Sequence, residues 1–389
     1  MRVKEDYIAL FEPTLAGNEW KYIKECLDTG WVSSAGAFVR RFEHDVAAYV
    51  GSPFAISAVN GTAGLHLALR VLGVQPDDEV VVPDLTFIAP VNAVAYCNAH
   101  PVFIDADPQT WQIDVRKLEQ FLNEECELRD DRCYNRKTGR IVRAVLPVHL
   151  LGLACAMDEI TRLARRFHLS VIEDASEAMG TRYRERHVGT FGDAGVFSFN
   201  GNKIVTSGGG GMIVTANSET AKRAKYLSTQ AKDDEIEYVH NDIGYNYRLT
   251  NLQAALGVAQ LEQLDTFLVR KRFIADSYEQ LLGSIEGITL MPRPEHCEPT
   301  WWVYMVLLPE PTTLAERKRV INELHELGIG ARPFWRPIHS LPPYAGSQTF
   351  RVEHANRLYE RGVSLPSTVT LTESQLERIA TALKKCLSQ

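Results

Sequence analysis

The chain has 389 residues and a net charge of −7, with 45% hydrophobic and 23% charged residues. This length suffices for two domains with a large core, and the acidic balance argues against a general nucleic-acid role. The seven cysteines include no CxxC pair, so we expect neither a zinc site nor another metal nor a disulfide scaffold. Without a signal-peptide core in residues 1–6 or a membrane-spanning apolar run, the sequence favours a cytoplasmic protein with no membrane role.

The first segments pair helical patterns with a loop of small residues. Helical spacing at 16–27 and 38–50 flanks residues 29–36, which surround Trp31 with Gly and Ser, Ser33 among them. A tryptophan in such a loop either stacks on a ligand or fills the core.

Residues 54–73 combine a strand, a tight turn and a helix. An apolar run at 54–59 leads into Asn60–Gly64, and helical spacing follows from Leu65. This arrangement aims backbone N–H groups and a helix dipole at an anion, and Thr62 adds a hydroxyl. The alternative is an ordinary turn between a strand and a helix.

Further apolar strands alternate with amphipathic helices. Strand patterns at 79–83, 101–105 and 144–149 indicate a mainly parallel sheet covered on both faces. Phe87 follows the first of these and either stacks on a flat ring or belongs to the core. The charged segment 123–142 is predicted to be an exposed loop or hairpin.

Acidic residues end the next strand. The run from Leu169 closes with Glu173 and Asp174, at the sheet edge where α/β proteins bind ligands. Burying Asp174 unpaired would be costly, and a cation such as a protonated ring nitrogen would offset that cost. The alternative is a helix N-cap, a common use of Asp.

A single lysine follows the last strong strand pattern. Residues 195–199 are strand-like, Asn200–Asn202 form a polar turn, and Gly208–Gly211 follow Lys203. A lysine held there, partly desolvated, would have a lowered pKa and offer a free amine to a carbonyl. A solvated turn lysine is the alternative.

The C-terminal third reads as a smaller α+β domain. After a polar connection at 226–242, a long helix is predicted at about 252–282, and we divide the chain into domains 1–260 and 261–389. A loop at 330–339 places Arg332 and His339 among aromatics and prolines, which suits an anionic or sugar-nucleotide ligand.

Four features converge on one ligand: the turn at 60–64, Phe87, Asp174 and Lys203. A pyridine aldehyde with a phosphate arm needs such a set, because the lysine forms a Schiff base, the aspartate keeps the ring nitrogen protonated, the aromatic stacks on the ring and the turn holds the phosphate.

At these residues the chain resembles the DegT/DnrJ/EryC1/StrS sugar-nucleotide aminotransferases, which have the fold type I architecture of aspartate aminotransferase. The resemblance spans nearly the whole chain and rests on six segments: residues 60–63, 84–87, 173–178, 198–203, 208–211 and 244–248. It implies an α/β large domain with a mainly parallel seven-stranded sheet, a smaller C-terminal domain and a homodimer with shared active sites.

The resemblance also implies residue roles. Lys203 carries pyridoxal 5'-phosphate and moves the proton, Asp174 binds the pyridine nitrogen, and Phe87 stacks on the ring. Glu177 lies near the ring hydroxyl, where many relatives have Gln. The implied phosphate contacts are Gly61, Thr62, Ala63 and Ser198, with Asn246 from the partner subunit. The substrate-side candidates are Trp31, Ser33, Arg248, Trp301, Arg332 and His339.

Within this family, segments 199–204, 226–232 and 332–339 are most similar to enzymes that make UDP-4-amino-4,6-dideoxy-N-acetylglucosamine, the bacillosamine precursor used in bacterial protein glycosylation and polysaccharide biosynthesis. The main expectation is therefore amino transfer from L-glutamate to C4 of a UDP-4-keto-6-deoxy-N-acetylhexosamine. Aminotransferases for GDP-4-keto-6-deoxymannose, the perosamine type, or for dTDP-4-keto sugars are the alternatives.

Three other functions are disfavoured by the sequence. A sugar dehydratase on the same fold is one, since some such relatives have His where this chain has Lys203. A non-enzymatic regulator or sensor is the second, because the coenzyme set is complete. The third, a dinucleotide-binding oxidoreductase, would need a GxGxxG after an early strand, which this chain lacks.

Overall fold

The structure is a computed structural model that describes residues 6–234 and 236–388. Its α-helices are α1 (Glu19–Thr29), α2 (Ala37–Val50), α3 (Gly61–Val71), α4 (Ala89–Tyr96), α5 (Val115–Glu124), α6 (Met157–Arg166), α7 (Ser218–Ser228), α8 (Asn251–Leu261), α9 (Leu264–Leu282), α10 (Leu314–Glu326), α11 (His354–Arg361) and α12 (Glu373–Leu387).

Its strands are β1 (Phe54–Ala58), β2 (Glu79–Pro83), β3 (His100–Ile104), β4 (Cys126–Arg129), β5 (Arg132–Asn135), β6 (Ile141–Val145), β7 (Ser170–Asp174), β8 (Arg182–Tyr183), β9 (Arg186–His187), β10 (Ala194–Ser198), β11 (Gly211–Thr215), β12 (Cys297–Glu298), β13 (Tyr304–Leu307), β14 (Arg332–Pro333), β15 (Gln348–Phe350) and β16 (Gly362–Leu365).

A ten-stranded sheet organises the molecule, in the order β1-β11-β10-β7-β6-β2-β3-β15 with the β4–β5 hairpin beside β6. Every pair from β10 to β15 is parallel, whereas β11 runs antiparallel to both β1 and β10. The seven strands from β1 to β3 in this order are the mainly parallel sheet that was predicted, and β15, β4 and β5 extend it. The segment predicted as a loop or hairpin is thus the β4–β5 hairpin.

Two cores cover the faces of this sheet. Along β2, Val80 and Val82 belong to one buried cluster and Val81 to the other, because successive strand side chains point to opposite faces. The parallel strands therefore read as continuous apolar runs. Their carboxyl ends meet at one edge of the sheet, which brings together the residues that follow β1, β2, β7 and β10.

The C-terminal part carries a second, antiparallel sheet, β13-β16-β14, alongside α10 and α11, while α12 packs against both α9 and α10. One strand of this part, β15, pairs with β3 of the large sheet. The domain division at residues 260 and 261 stays a prediction.

The long helix predicted at 252–282 is wrong in one respect, since two helices, α8 and α9, occupy this stretch. At the break, the Glu262 carboxylate accepts hydrogen bonds from Tyr22 and Arg41, and the Gln263 amide donates to Glu19 at 2.7 Å. These contacts with α1 and α2 stabilise the end of α8 and the start of α9 as two separate helices.

Among the described residues, no helix is long and apolar enough to cross a membrane, and no group of three or more His, Cys, Asp or Glu side chains is arranged to hold a metal ion.

Candidate active site

A cavity of about 410 Å³ lies where the predicted strand ends meet. Side chains from the connections after β1, β2, β7 and β10 line it, together with residues from the C-terminal part. The predicted site residues that line the cavity are Gly61, Thr62, Phe87, Asp174, Glu177, Ser198, Lys203 and Arg332.

The turn after β1 presents the N-terminus of α3 to this cavity. The Asn60 side chain caps the helix by accepting a hydrogen bond from the Ala63 N–H at 2.8 Å. The N–H groups of Gly61 and Thr62 have no partner within the helix, because the first N–H groups of a helix never do. The Ala63 N–H is engaged in this cap and Ala63 lies outside the cavity lining, so its predicted phosphate contact stays a prediction.

Glycine is required at position 61 because other side chains approach closely. A Cβ built on Gly61 would lie 2.9 Å from Ser198 Cβ and 3.2 Å from the Ser176 hydroxyl oxygen. Two hydroxyls therefore converge on the same helix N-terminus. This cradle of N–H and O–H donors suits a tetrahedral anion such as a phosphate group.

Asp174 ends β7 with its side chain directed to the cavity. It is 4% exposed, and its Oδ1 accepts a hydrogen bond from Ser176 N at 3.0 Å. Burial raises its carboxyl pKa, while Ser176 and the ammonium of Lys203 act in the opposite direction. The helix N-cap alternative does not hold, because no helix begins here.

The neighbouring acid has a different environment. The Glu173 carboxylate accepts hydrogen bonds from the backbone N–H groups of Gly189, Phe191 and Gly192 and from His149 Nε2. Glu173 is thus fully satisfied inside the fold. Lys203 forms its ion pair with Glu177 and acts on Asp174 only through its charge, so a protonated ring nitrogen in the cavity would give Asp174 a direct cationic partner.

Lys203 lies on the connection between β10 and β11, as the sequence predicted. Its side chain is 12% exposed, and its Nζ lies 3.5 Å from Glu177 Oε1 and 3.9 Å from the centroid of the Trp302 ring. Glu177 is buried, which raises its carboxyl pKa, and the charge of Lys203 and the Leu151 N–H oppose that rise.

The remaining wall of the cavity is aromatic. Phe87 is 51% exposed, and its ring centroid lies 6.2 Å from that of Trp335. Next to it, the hydroxyl oxygen of Thr86 is buried at the cavity lining and has no hydrogen-bond partner in the part of the chain that the structure describes. A polar ligand atom would satisfy this hydroxyl.

Two substrate-side predictions fall on residues with other contacts. Trp301 is 2% exposed and packs in the core near Tyr304, whereas the adjacent Trp302 lines the cavity. His339 donates its backbone N–H to Asp84 Oδ1 at 2.9 Å, and its Nδ1 lies 2.7 Å from Asp84 Oδ2. Trp301 thus packs in the core and His339 contacts a buried carboxylate, and the substrate contacts of both residues stay predictions.

Four other predicted residues lie outside the lining of this cavity. Trp31 is 59% exposed on a separate groove, and the Ser33 carbonyl accepts a hydrogen bond from Asn251 N. Asn246 is exposed and forms a bridge with Thr229, and Arg248 Nε is buried without a partner among the described residues. Their contacts with ligands stay predictions.

Thr86, Ser176, Trp302 and Trp335 are among the cavity-lining residues to which the sequence analysis gave no role. Two of these residues could have been found from the sequence. Ser176 follows Asp174 by two residues, and Trp302 is adjacent to Trp301, which was a substrate-side candidate. Thr86 and Trp335 lie within segments 84–87 and 332–339, which carried the family resemblance, but no residue pattern there assigns either side chain a role.

The cavity fits pyridoxal phosphate on three observations: the close-packed donor cradle at Gly61, the buried Asp174 with no direct ion pair among the described residues, and the lysine amine in the same cavity. The fold and cavity define the class as that of a pyridoxal-phosphate-dependent aminotransferase. The α/β fold with a mainly parallel sheet is confirmed by solved relatives. One of these is an aminotransferase from Helicobacter pylori, PseC, involved in pseudoaminic acid biosynthesis (TM-score 0.89, 25% identity, covering 98% of this chain and 100% of that chain).

The model of the DegT/DnrJ/EryC1/StrS aminotransferase family matches residues 13–384, and the chain belongs to this family. Two similar relatives are each described as a GDP-perosamine synthase. The protein from Caulobacter vibrioides is 42% identical over 98% of this chain and 98% of its own, and that from Escherichia coli O157:H7 is 39% identical over 98% of this chain and 99% of its own. The predicted activity, that of a sugar-nucleotide aminotransferase with pyridoxal 5'-phosphate as cofactor, is confirmed at this level.

Proposed function

We propose that this enzyme transfers the amino group of L-glutamate to C4 of GDP-4-keto-6-deoxymannose, giving a perosamine-type sugar nucleotide for bacterial glycan synthesis. The two GDP-perosamine synthases that match nearly the whole chain support the GDP sugar. This proposal replaces the UDP-linked N-acetylhexosamine and the bacillosamine pathway, which were predicted from the similarity of three short sequence segments.

The observation that carries the chemistry is the placement of Lys203 and Asp174 around one cavity beside an anion cradle. When bound, pyridoxal phosphate supplies an electron-accepting ring that stores the amino group between the two halves of the reaction. Asp174 would pair with the ring nitrogen, Phe87 would stack on the ring, and the cradle around Gly61 would hold the phosphate.

Lys203 is the proposed proton carrier. Its Nζ is the amine of the cavity, so Lys203 would take the Cα proton of glutamate in the first half of the reaction and give a proton back in the second. Glu177 would lie near the ring hydroxyl, with its orientation set by the Leu151 N–H at 2.8 Å. Arg332, at the cavity wall, is the proposed partner of an anionic substrate group.

We further propose a homodimer in which each active site takes Asn246 from the partner subunit. Asn246 is exposed and lies outside the cavity lining of its own chain, which is consistent with a role in a second copy. Two strongly exposed apolar side chains, Ile236 and Ile243, lie in the segment that precedes Asn246, and their exposure favours burial against another surface.

A half-reaction tests the substrate. The full-length enzyme is loaded with pyridoxamine phosphate, 4-keto-6-deoxy sugars on GDP, UDP or dTDP are added separately, and the return of pyridoxal absorbance is followed. Return with the GDP sugar alone supports the proposal. Return with only a UDP or dTDP sugar overturns the nucleotide but keeps the aminotransferase, and no return with any sugar would favour the sensor alternative.

A further inference from the structure

Trp302, a residue of the cavity wall, is fixed by three hydrogen bonds. It is 3% exposed, its indole N–H donates to the Asn202 carbonyl at 2.7 Å, and its backbone N–H donates to the Leu151 carbonyl at 3.2 Å. Its own carbonyl accepts a hydrogen bond from Nζ of the buried Lys271 at 2.7 Å. The position of the ring is therefore determined from both the main chain and the side chain.

Two aromatic neighbours stack with the same ring. Phe11 lies 5.2 Å away at an interplanar angle of 16°, and Trp335 lies 6.1 Å away at 10°. The hydrogen bonds of Trp302, rather than these stacking contacts, fix its indole, whose π face lies against Lys203 Nζ, 3.9 Å from the ring centroid. Tryptophan has the ring face that attracts a cation most strongly.

We propose that Trp302 is a positioning residue that holds the ammonium form of Lys203 whenever the lysine is not covalently engaged. This inference rests on the proposed role of Lys203 as the proton carrier. An amine that accepts a proton must keep its charge within reach of the reacting carbon, and the indole face stabilises that charge without forming a hydrogen bond that would have to break.

Other charged groups also act on Lys203. Glu177 Oε1 lies 3.5 Å away, and the charge of Lys203 also acts on the Asp174 carboxyl. On the far side, Lys203 and Lys271 line the same small internal cavity of about 30 Å³. Because these groups also surround Lys203, the contribution of the indole has to be measured with Glu177, Asp174 and Lys271 unchanged.

The test measures the acid–base behaviour of Lys203 directly. Full-length enzyme loaded with pyridoxamine phosphate, which forms no covalent bond with the lysine, is labelled with trace acetic anhydride over a series of pH values. Mass spectrometry of peptides then compares Lys203 with Lys222, whose side chain is 73% exposed. We expect Trp302→Leu to lower the pKa of the Lys203 amine by about 0.5 to 1.5 and Trp302→Phe to lower it less.

Phe11→Leu is the matched control, because Phe11 stacks on Trp302 and lines the same cavity but makes no cation–π contact with Lys203. The lysine pKa should stay at its original value in this variant. An unchanged or raised pKa in Trp302→Leu, or an equal fall in Phe11→Leu, would overturn the proposal. If Trp302→Leu does not fold, Trp302→Phe decides alone, with an unchanged pKa counting against the inference.

The labelling does not depend on the sugar substrate, and it is repeated on the full chain without cofactor. A failed half-reaction together with the expected fall in the lysine pKa would reject the proposed function alone. A normal half-reaction with no change in the lysine pKa would reject the role of Trp302 alone.

Discussion

The Nζ of Lys203 lies 3.5 Å from Glu177 Oε1, while Oε2 of the same carboxylate accepts a hydrogen bond from the Leu151 N–H at 2.8 Å. A rigid backbone group thus sets the orientation of the acid that faces the amine. Leu151 lies on the connection after β6, far in sequence from both Glu177 and Lys203. The fold brings this connection against the two side chains.

Replacing Lys203 by Ala should abolish turnover, because the cavity then lacks its proton carrier, while cofactor held by Asp174 and the Gly61 cradle should persist. Steady-state kinetics and the absorbance of bound cofactor measure these two effects. Lys222→Ala, on an exposed helix face, is the control. Near-normal transamination by the Lys203→Ala variant would reject the assignment.

Gly61→Ala should weaken cofactor binding about 10- to 100-fold, because its methyl group would displace the hydroxyls of Ser198 and Ser176 and cost about 1.5–3 kcal/mol of hydrogen bonding to a charged group. Gly201→Ala is a matched control, since a Cβ there meets no atom within 4 Å. Titration of the cofactor-free protein gives both affinities. Equal affinities in the two variants would argue against the phosphate cradle.

Asp174→Asn should stabilise the cofactor-free protein at neutral pH. Burial raises the carboxyl pKa in the folded state, so the native protein holds this proton to higher pH than the unfolded chain. The wild type therefore loses stability as pH rises from the unfolded pKa, about 3.9, through the raised native pKa, by about 1.4 kcal/mol for each pH unit that separates the two. Asp174→Asn has no carboxyl group to ionise at this position, so its free energy of unfolding does not fall in this way as pH rises.

Urea denaturation of the cofactor-free protein at several pH values measures this difference, which should be small at pH below about 4 and largest near neutrality. The adjacent substitution Glu173→Gln provides the contrast. It should destabilise the fold, because Glu173 accepts three backbone N–H groups. A wild type more stable than Asp174→Asn at neutral pH would contradict the explanation.

His339→Ala should lower stability by about 1–3 kcal/mol, because it leaves the buried Asp84 carboxylate short of a partner. Chemical denaturation tests this expectation, and Asp84→Asn should reduce the effect of the histidine substitution. If stability is unchanged and the KM for the sugar nucleotide rises instead, the substrate-binding role predicted from sequence is the better interpretation.

Subunit mixing tests the proposed shared sites. Lys203→Ala and Asn246→Ala should each be poorly active alone. In an equal mixture that exchanges subunits, half of the dimers are mixed and each has one intact site, so about a quarter of the wild-type activity should return. The absence of any recovery, despite exchange shown by differently tagged subunits, would place Asn246 in the site of its own chain or outside it.

The sequence by itself determined the strand ends that carry Asp174 and Lys203 and the turn at Gly61. Apolar strand runs and small-residue turns are local patterns, and the carboxyl ends of parallel strands must meet at one edge of the sheet. These rules need no knowledge of distant contacts, and they suffice to locate the cavity at that edge.

The tertiary structure alone decided which side chains on the C-terminal part reach that cavity. Trp301 has a positive φ of 52°, so strand alternation does not apply there, and Trp302 faces Lys203 instead. His339 is engaged by Asp84, 255 residues away in sequence. Such pairings depend on how distant segments pack, and neither residue spacing nor composition records that packing.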